Sequence, residues 1–243
     1  MGAHPCAPLK RLEIVMLNKI LYILNFVKTT LVYIIYPPIC PLCREIVDER
    51  YQFCPDCENK ILRLDVQKNP PDILSGVFAI TKYHGGTRSL LRKLKFDNNL
   101  NVMPAFHKIL ADISSRTEIK NFLSNIDLAT YVPLHADRLK ERGYNQVELI
   151  FRDWLIAQGL TAENLLIRKK YTPKLFKYSP AERKEILKGA FSFIEGADIR
   201  GKNILIVDDI YTTGATTAEC AAVLKNAGAA KIFVMALASD FGD

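Results

Sequence analysis

The sequence lacks several features that would assign it to a class at once. No stretch of eighteen residues is free of polar interruption, which argues against a clean transmembrane span. No Gly-Lys-Ser or Gly-Lys-Thr triplet occurs, so a Walker-type phosphate loop is excluded. Neither an internal repeat nor a low-complexity tract is visible. Six cysteines in 243 residues are too few and too unevenly spread for a disulfide scaffold. The apolar run from Ile20 is interrupted by Lys28 and has no small-residue cleavage site before Cys40, so it does not read as a secretory leader. A reducing, cytoplasmic compartment is the expectation.

What is present is ordinary globular material. Apolar residues make up 49% and charged residues 24%, which argues against overall disorder. The length allows one large domain or two unequal ones. Lys and Arg total 33 against 26 Asp and Glu, a formal charge of +7. That surplus suits polyanionic partners such as phosphoesters or nucleic acid without identifying one.

Four stretches follow along the chain. Residues 1–15 hold two prolines and a glycine without a clear period. They are expected to form an unstructured leader, with Met16 a candidate start. Residues 16–36 place apolar side chains almost all round a helix, with Asn25, Lys28, Thr29 and Thr30 as a thin polar stripe. Three readings stand: a helix packed on the rest of the protein, a membrane-surface helix, or a degenerate span. Packing is the preferred one, since a moderately apolar helix is more often core than anchor. Pro37-Pro38 ends it. A compact cysteine-bearing segment occupies residues 37–68, and the turn-rich Asn69-Pro70-Pro71-Asp72 separates it from residues 73–243.

The last stretch alternates strands and helices. Strands are expected at 77–82, 127–132, 164–168, 190–194, 203–207 and 231–238. Helices are expected at 88–96, 102–113, 145–157 and 217–226. The alternation implies a largely parallel sheet with helices on both faces. Trp154 and Cys220 read as packing residues, His107 as an unremarkable helix residue, and His84 as part of a turn or a ligand.

Cys40, Cys43, Cys54 and Cys57 form two Cys-x-x-Cys pairs ten residues apart. Four thiolates can converge on one tetrahedral Zn²⁺, which closes a segment otherwise too small to fold. A redox dithiol would need one pair and leave the second unexplained. All four ligand positions are sulfur, so the expected zinc is structural.

Residues 203–207 are a buried apolar strand that delivers Asp208 and Asp209 to its C-terminal end, where open α/β sheets bind ligands. Thr212, Thr213, Gly214, Ala215, Thr216 and Thr217 follow and open a helix. Helix N-terminal N–H groups and threonine hydroxyls make a cradle for phosphate. Neighbouring carboxylates accept hydrogen bonds from vicinal hydroxyls or approach Mg²⁺. A sugar phosphate satisfies both halves. Upstream, Arg138, Lys140 and Arg142 put three cations within five residues after a strand end, which suits a multiply charged phosphate or a solvated basic turn. Asn145 is either part of that site or a helix N-cap.

Residues 207–216, Val-Asp-Asp-Ile-Tyr-Thr-Thr-Gly-Ala-Thr, resemble the phosphoribosyl-pyrophosphate (PRPP) motif of type I phosphoribosyltransferases. The four-cysteine segment and residues 132–146, from Val132-Pro133-Leu134-His135 to Gly143-Tyr144-Asn145-Gln146, narrow the resemblance to the ComF family. The resemblance implies a zinc ribbon joined to a phosphoribosyltransferase-like domain, with a role in natural competence and DNA uptake. It makes Asp208 and Asp209 the ribose contacts and residues 212–217 the 5′-phosphate loop. His135 and Arg138 would face pyrophosphate, and Asp208, Asp209, Arg138 and Arg142 would carry any chemistry. Magnesium would accompany PRPP. Residues 169–183 match the loop that folds over substrate, although Leu175 stands where Gln is common and Ile186 where Asn is common. No segment reads a nucleobase.

Two functions are therefore expected. One is transfer of phosphoribosyl to an acceptor. The other is a non-catalytic factor binding PRPP and single-stranded DNA beside the DNA-uptake proteins. For the second, residues 82–95 carry five Lys or Arg and no acid. Tyr83, Phe96, Tyr171, Phe176 and Tyr178 offer stacking surfaces near this run and the basic residues 169–188. No membrane span is expected, only peripheral contact.

Overall fold

The computed structural model describes residues 9–41, 43–49, 52–173 and 175–240. Residues 1–8 of the expected leader, Cys6, Lys174 and the side chain of Phe176 lie outside them. The elements run α1 (Leu9–Ile35), α2 (Pro55–Ile61), β1 (Leu62–Val66), β2 (Gly76–Lys82), α3 (Gly85–Phe96), α4 (Met103–Ser114), α5 (Thr117–Leu123) and β3 (Leu128–Tyr131). They continue with α6 (Ala136–Arg142), α7 (Gln146–Ala157), β4 (Ala162–Glu163), β5 (Leu166–Arg168), α8 (Pro180–Leu187), β6 (Phe191–Phe193), β7 (Asn203–Tyr211), α9 (Ala215–Asn226) and β8 (Lys231–Ser239).

The main sheet has the order β1-β2-β8-β7-β3-β4. β2, β8, β7, β3 and β4 pair in parallel, and β1 adds an antiparallel edge. β7 and β8 sit at its centre and read as nearly unbroken apolar runs because both faces are covered. Ile204, Leu205, Ile206 and Val207 are fully buried, each contributing roughly 1.5–3 kcal/mol. Alternation sorts them. Leu205 and Val207 join Leu90, Phe106 and Phe151 from α3, α4 and α7 on one face. Ile204 and Ile206 join Leu187, Ala221 and Leu224 from α8 and α9 on the other. Trp154 and Cys220 are buried among these layers as expected.

The differences from the expected elements have local causes. α1 begins at Leu9, inside the expected leader. From Met16 onward it is not packed on the rest as expected: every described side chain from Met16 to Tyr36 is exposed. The strands expected at 164–168 and 190–194 lie outside the main sheet, as the short antiparallel pair β5–β6. The basic stretch after β3 is helical rather than a turn, and the expected loop 169–183 gives way to α8 at Pro180. Ser179 and Glu182 start α8 with a reciprocal capping box.

The cysteine segment folds onto the α3–α4 side of the sheet. Cys40, Phe53, Cys54, Cys57 and Ile61 share one apolar cluster with Phe78 and Leu90. Lys108 of α4 ties the two parts together, contacting Glu58 at 2.8 Å and Asp112 at 2.6 Å.

Candidate functional site

The sulfur atoms of Cys40, Cys43, Cys54 and Cys57 all lie within 4.8 Å of one another. Tetrahedral Zn²⁺ with Zn–S of about 2.3 Å places its sulfurs about 3.8 Å apart, so the four fit one ion. Local backbone makes this possible. Arg44 takes a left-handed φ of 68° and donates its N–H to the Cys40 carbonyl, closing the first knuckle. Cys54 precedes α2, so Cys57 falls on that helix's first turn. Burial pushes the Cys57 thiol far above its ordinary range, and a cation in place of the protons relieves that cost. The cluster has no non-sulfur ligand, which assigns it to structural zinc.

The second site lies at the C-terminal ends of β3 and β7. These strands are parallel neighbours, so the loops that leave them stand side by side. After β7, residues 212–214 turn into α9. Gly214 holds φ 72°, and a Cβ there would stand 2.3 Å from the Tyr211 hydroxyl, so only glycine fits. No side chain caps the N-terminus of α9, which leaves its first N–H groups directed at the loop. A small depression there is lined by Asp208, Thr212, Thr213, Gly214, Ala215, Thr216 and Thr217. Leu175 and Arg183 close its rim, and Arg183 Nη1 donates to Thr212 Oγ1 at 3.1 Å. The Thr217 hydroxyl is not directed into it. It is buried and donates to the Gly214 carbonyl at 3.0 Å, leaving only the backbone N–H of Thr217 for a ligand.

The two carboxylates do not form one ledge. As neighbours on a strand they point to opposite faces. Asp208 faces the α9 side and the depression. Its carboxyl is buried and accepts the Asp209 N–H at 2.8 Å. No ion pair within 4 Å reaches it among the described residues. Burial, then the charge of Asp209, push its pKa up to about 8. Asp209 faces the α3–α7 side, where Lys95 Nζ sits 2.8 Å from its Oδ2. Gln146 donates to the same oxygen and accepts from Arg142. Arg142 thus belongs to the Asp209 chain of contacts, not to the depression.

Arg138 takes a third position. α6 starts at His135, whose Nδ1 accepts the Asp137 N–H at 3.3 Å. Arg138 Nη2 donates to the Thr172 carbonyl at 2.6 Å and its guanidinium lies 5.2 Å from the Tyr171 ring centre. His135 meets the same ring edge-on at 5.4 Å. Arg168 of β5 donates to the Thr172 hydroxyl and stacks on Phe191. Its Nε is buried without a hydrogen-bond partner among the described residues, and its charge acts on both Arg138 and Asp208. Asn145 is an N-cap, accepting the Val147 N–H at 3.0 Å.

Sequence reasoning missed Arg168 and Lys95 as members of this region. Two signals were present. Arg168 stands two residues after buried Leu166, an inward strand position for a charge. Lys95 stands four residues after buried Leu91, on the core side of α3.

Comparison with known proteins agrees with both parts. The double zinc ribbon domain matches residues 31–68 and the phosphoribosyl transferase domain matches residues 171–240. A DNA utilization protein, YhgH, of Salmonella typhimurium is 29% identical over 206 residues, 82% of this chain and 89% of that protein. Competence protein F of Haemophilus influenzae is 29% identical over 153 residues, covering 61% and 66%. Competence protein ComFC of Streptococcus pneumoniae is 28% identical over 189 residues, covering 76% and 79%. Among solved structures, a glutamine phosphoribosylpyrophosphate amidotransferase of B. subtilis aligns at 22% identity and a TM-score of 0.38, over 60% of this chain and 30% of that one. The chain thus carries a double zinc ribbon domain followed by a phosphoribosyl transferase domain, and over most of its length it is similar to DNA utilization and competence proteins.

Proposed function

We propose that the end of β7 binds PRPP with Mg²⁺. The observation that carries this reading is the conjunction at one depression of a buried, ion-pair-free carboxyl, Asp208, with the uncapped N-terminus of α9. The 5′-phosphate would take the N–H groups and hydroxyls of residues 212–216 and the guanidinium of Arg183. A ribose hydroxyl would meet Asp208. Pyrophosphate would lie toward His135, Arg138 and Arg168, the two guanidinium groups now donating to Thr172. Asp208 suits Mg²⁺, because a neighbouring cation favours the ionised form that burial opposes. The ion would neutralise pyrophosphate charge.

Binding is supported more directly than turnover. Transfer would break the C1–oxygen bond of PRPP, release pyrophosphate and join C1 to an acceptor nucleophile, whose proton must be removed. Asp209, the adjacent carboxylate in sequence, is occupied by Lys95 and Gln146. The reading is therefore a PRPP-binding competence factor in a cytoplasmic setting. Calorimetry on zinc-loaded, full-length protein with PRPP and Mg²⁺ tests it. Binding that is abolished by Asp208→Ala with Asp209→Ala is expected. No binding by folded protein, or unchanged binding in the double variant, sinks it.

A second reading, single-stranded DNA binding, has its own observation. Arg88, Arg92 and Phe96 are exposed at i, i+4 and i+8 on α3, with Lys93 exposed beside them. Cations and an aromatic in one row suit a single-stranded backbone and its bases.

A further inference from the structure

We propose that α1 lies in the plane of a membrane and seats the protein on an anionic phospholipid surface. This is independent of the PRPP reading, since none of the described side chains of α1 belongs to the site or to either core cluster. In the twenty residues Met16–Ile35 no residue is buried and the hydropathy is 1.2. Exposure of Leu24 is 60% and of Ile34 70%, which water penalises on a soluble surface.

The helical period gives this largely apolar segment one mixed stripe and one wholly apolar face, with Leu21, Phe26 and Val32 lying beside the polar side chains. Asn18, Tyr22, Asn25, Thr29 and Tyr33 fall on one stripe at spacings of three and four. Ile20, Ile23, Leu24, Val27, Leu31 and Ile34 fall opposite. Lys19 and Lys28 border the polar stripe on its two sides. The hydroxyls of Thr29 and Thr30 donate to the carbonyls of Asn25 and Phe26 at 2.8 and 2.9 Å, so neither is an unmet donor. No Asp or Glu occurs between Glu13 and Glu45. An apolar face flanked by lysines, with no acid to repel phosphate, matches an interfacial helix whose ammonium groups reach up to lipid headgroups.

The same pattern disfavours the other occupants. Spanning the bilayer would bring Asn25 and Lys28 near the middle of the hydrocarbon. A second copy packed on the apolar face would bring lysine borders together with no acid between them.

Flotation of the full-length, zinc-loaded protein tests the proposal. One set of vesicles is phosphatidylcholine alone, and the other holds about one quarter phosphatidylglycerol. Wild type is expected to float with the anionic vesicles. Ile23→Glu with Val27→Glu should lower the bound fraction at least about tenfold while zinc content and the far-ultraviolet spectrum stay unchanged. Lys19→Ala with Lys28→Ala should lower binding to the anionic vesicles and leave the weak binding to neutral ones. Absence of flotation overturns the proposal, as does flotation unchanged by the glutamates. Resistance to alkaline carbonate extraction would overturn the in-plane placement in favour of a span. A dimer in lipid-free buffer that the glutamates disperse, with no vesicle binding, would assign the face to a second copy.

Discussion

At the scale of single residues, the two acids of β7 show how adjacent positions acquire different chemistry. Asp209 has a lysine and an amide, whereas Asp208 has burial and a like charge beside it. The folded-state pKa of Asp208, about 8, stands above the unfolded value near 3.9. The folded protein therefore holds the extra proton, and the associated stability is full below about pH 4 and lost as pH rises through about 8. Asp208→Asn should remove that loss. Urea unfolding at several pH values should show wild type falling below the variant toward pH 8. Parallel curves would refute the assignment. Binding of the proposed PRPP and Mg²⁺ near neutral pH should correspondingly release a proton, since a ribose hydroxyl and Mg²⁺ would both favour the carboxylate.

At the scale of elements, the ribbon and the sheet are one structural unit. Cys54 and Cys57 lie in the same cluster as Phe78 and Leu90, so loss of zinc removes support from the sheet as well as from the knuckles. Cys54→Ser should lose stoichiometric zinc by elemental analysis and lower the midpoint of thermal unfolding by on the order of 10 °C. A zinc-free variant with an unchanged midpoint would show that the ribbon folds apart from the sheet. What was legible in the sequence follows from locality. The cysteine pairs and the run 203–207 are contiguous patterns, and each specifies its element with little outside help. α6 carries no such pattern: its only large apolar residue, Leu139, is 43% exposed, so no apolar period marks Ala136–Arg142 as helix. α8 was readable from Ser179 and Glu182, but the surrounding basic residues resembled a loop. The site was half legible. Asp208 and residues 212–216 follow one another in sequence, whereas Arg168 and Lys95 arrive from distant elements through packing. The assumption that adjacent acids act together failed on the two-residue period of a strand.

At the scale of the whole molecule, charge is distributed with some order. The formal charge of +7 includes Arg88, Arg92 and Lys93 on the exposed side of α3, which adjoins the site through Lys95. If this row tracks a nucleic acid backbone, affinity for single-stranded DNA should fall linearly with the logarithm of salt concentration. Arg88→Ala with Arg92→Ala should make the slope shallower by about 1.4 without changing base preference. An unchanged slope would place the contacts elsewhere.

The Lys95–Asp209 contact has an implication for traffic between these surfaces. One ammonium group lies in the last turn of the cationic helix and also balances the acid beside Asp208. Whatever draws that group outward strips Asp209 of its counter-charge, and whatever claims Asp209 sets the ammonium loose toward a polyanion. If PRPP and single-stranded DNA bind as proposed, loading one would thereby retune affinity for the other, through a contact only a single side chain wide.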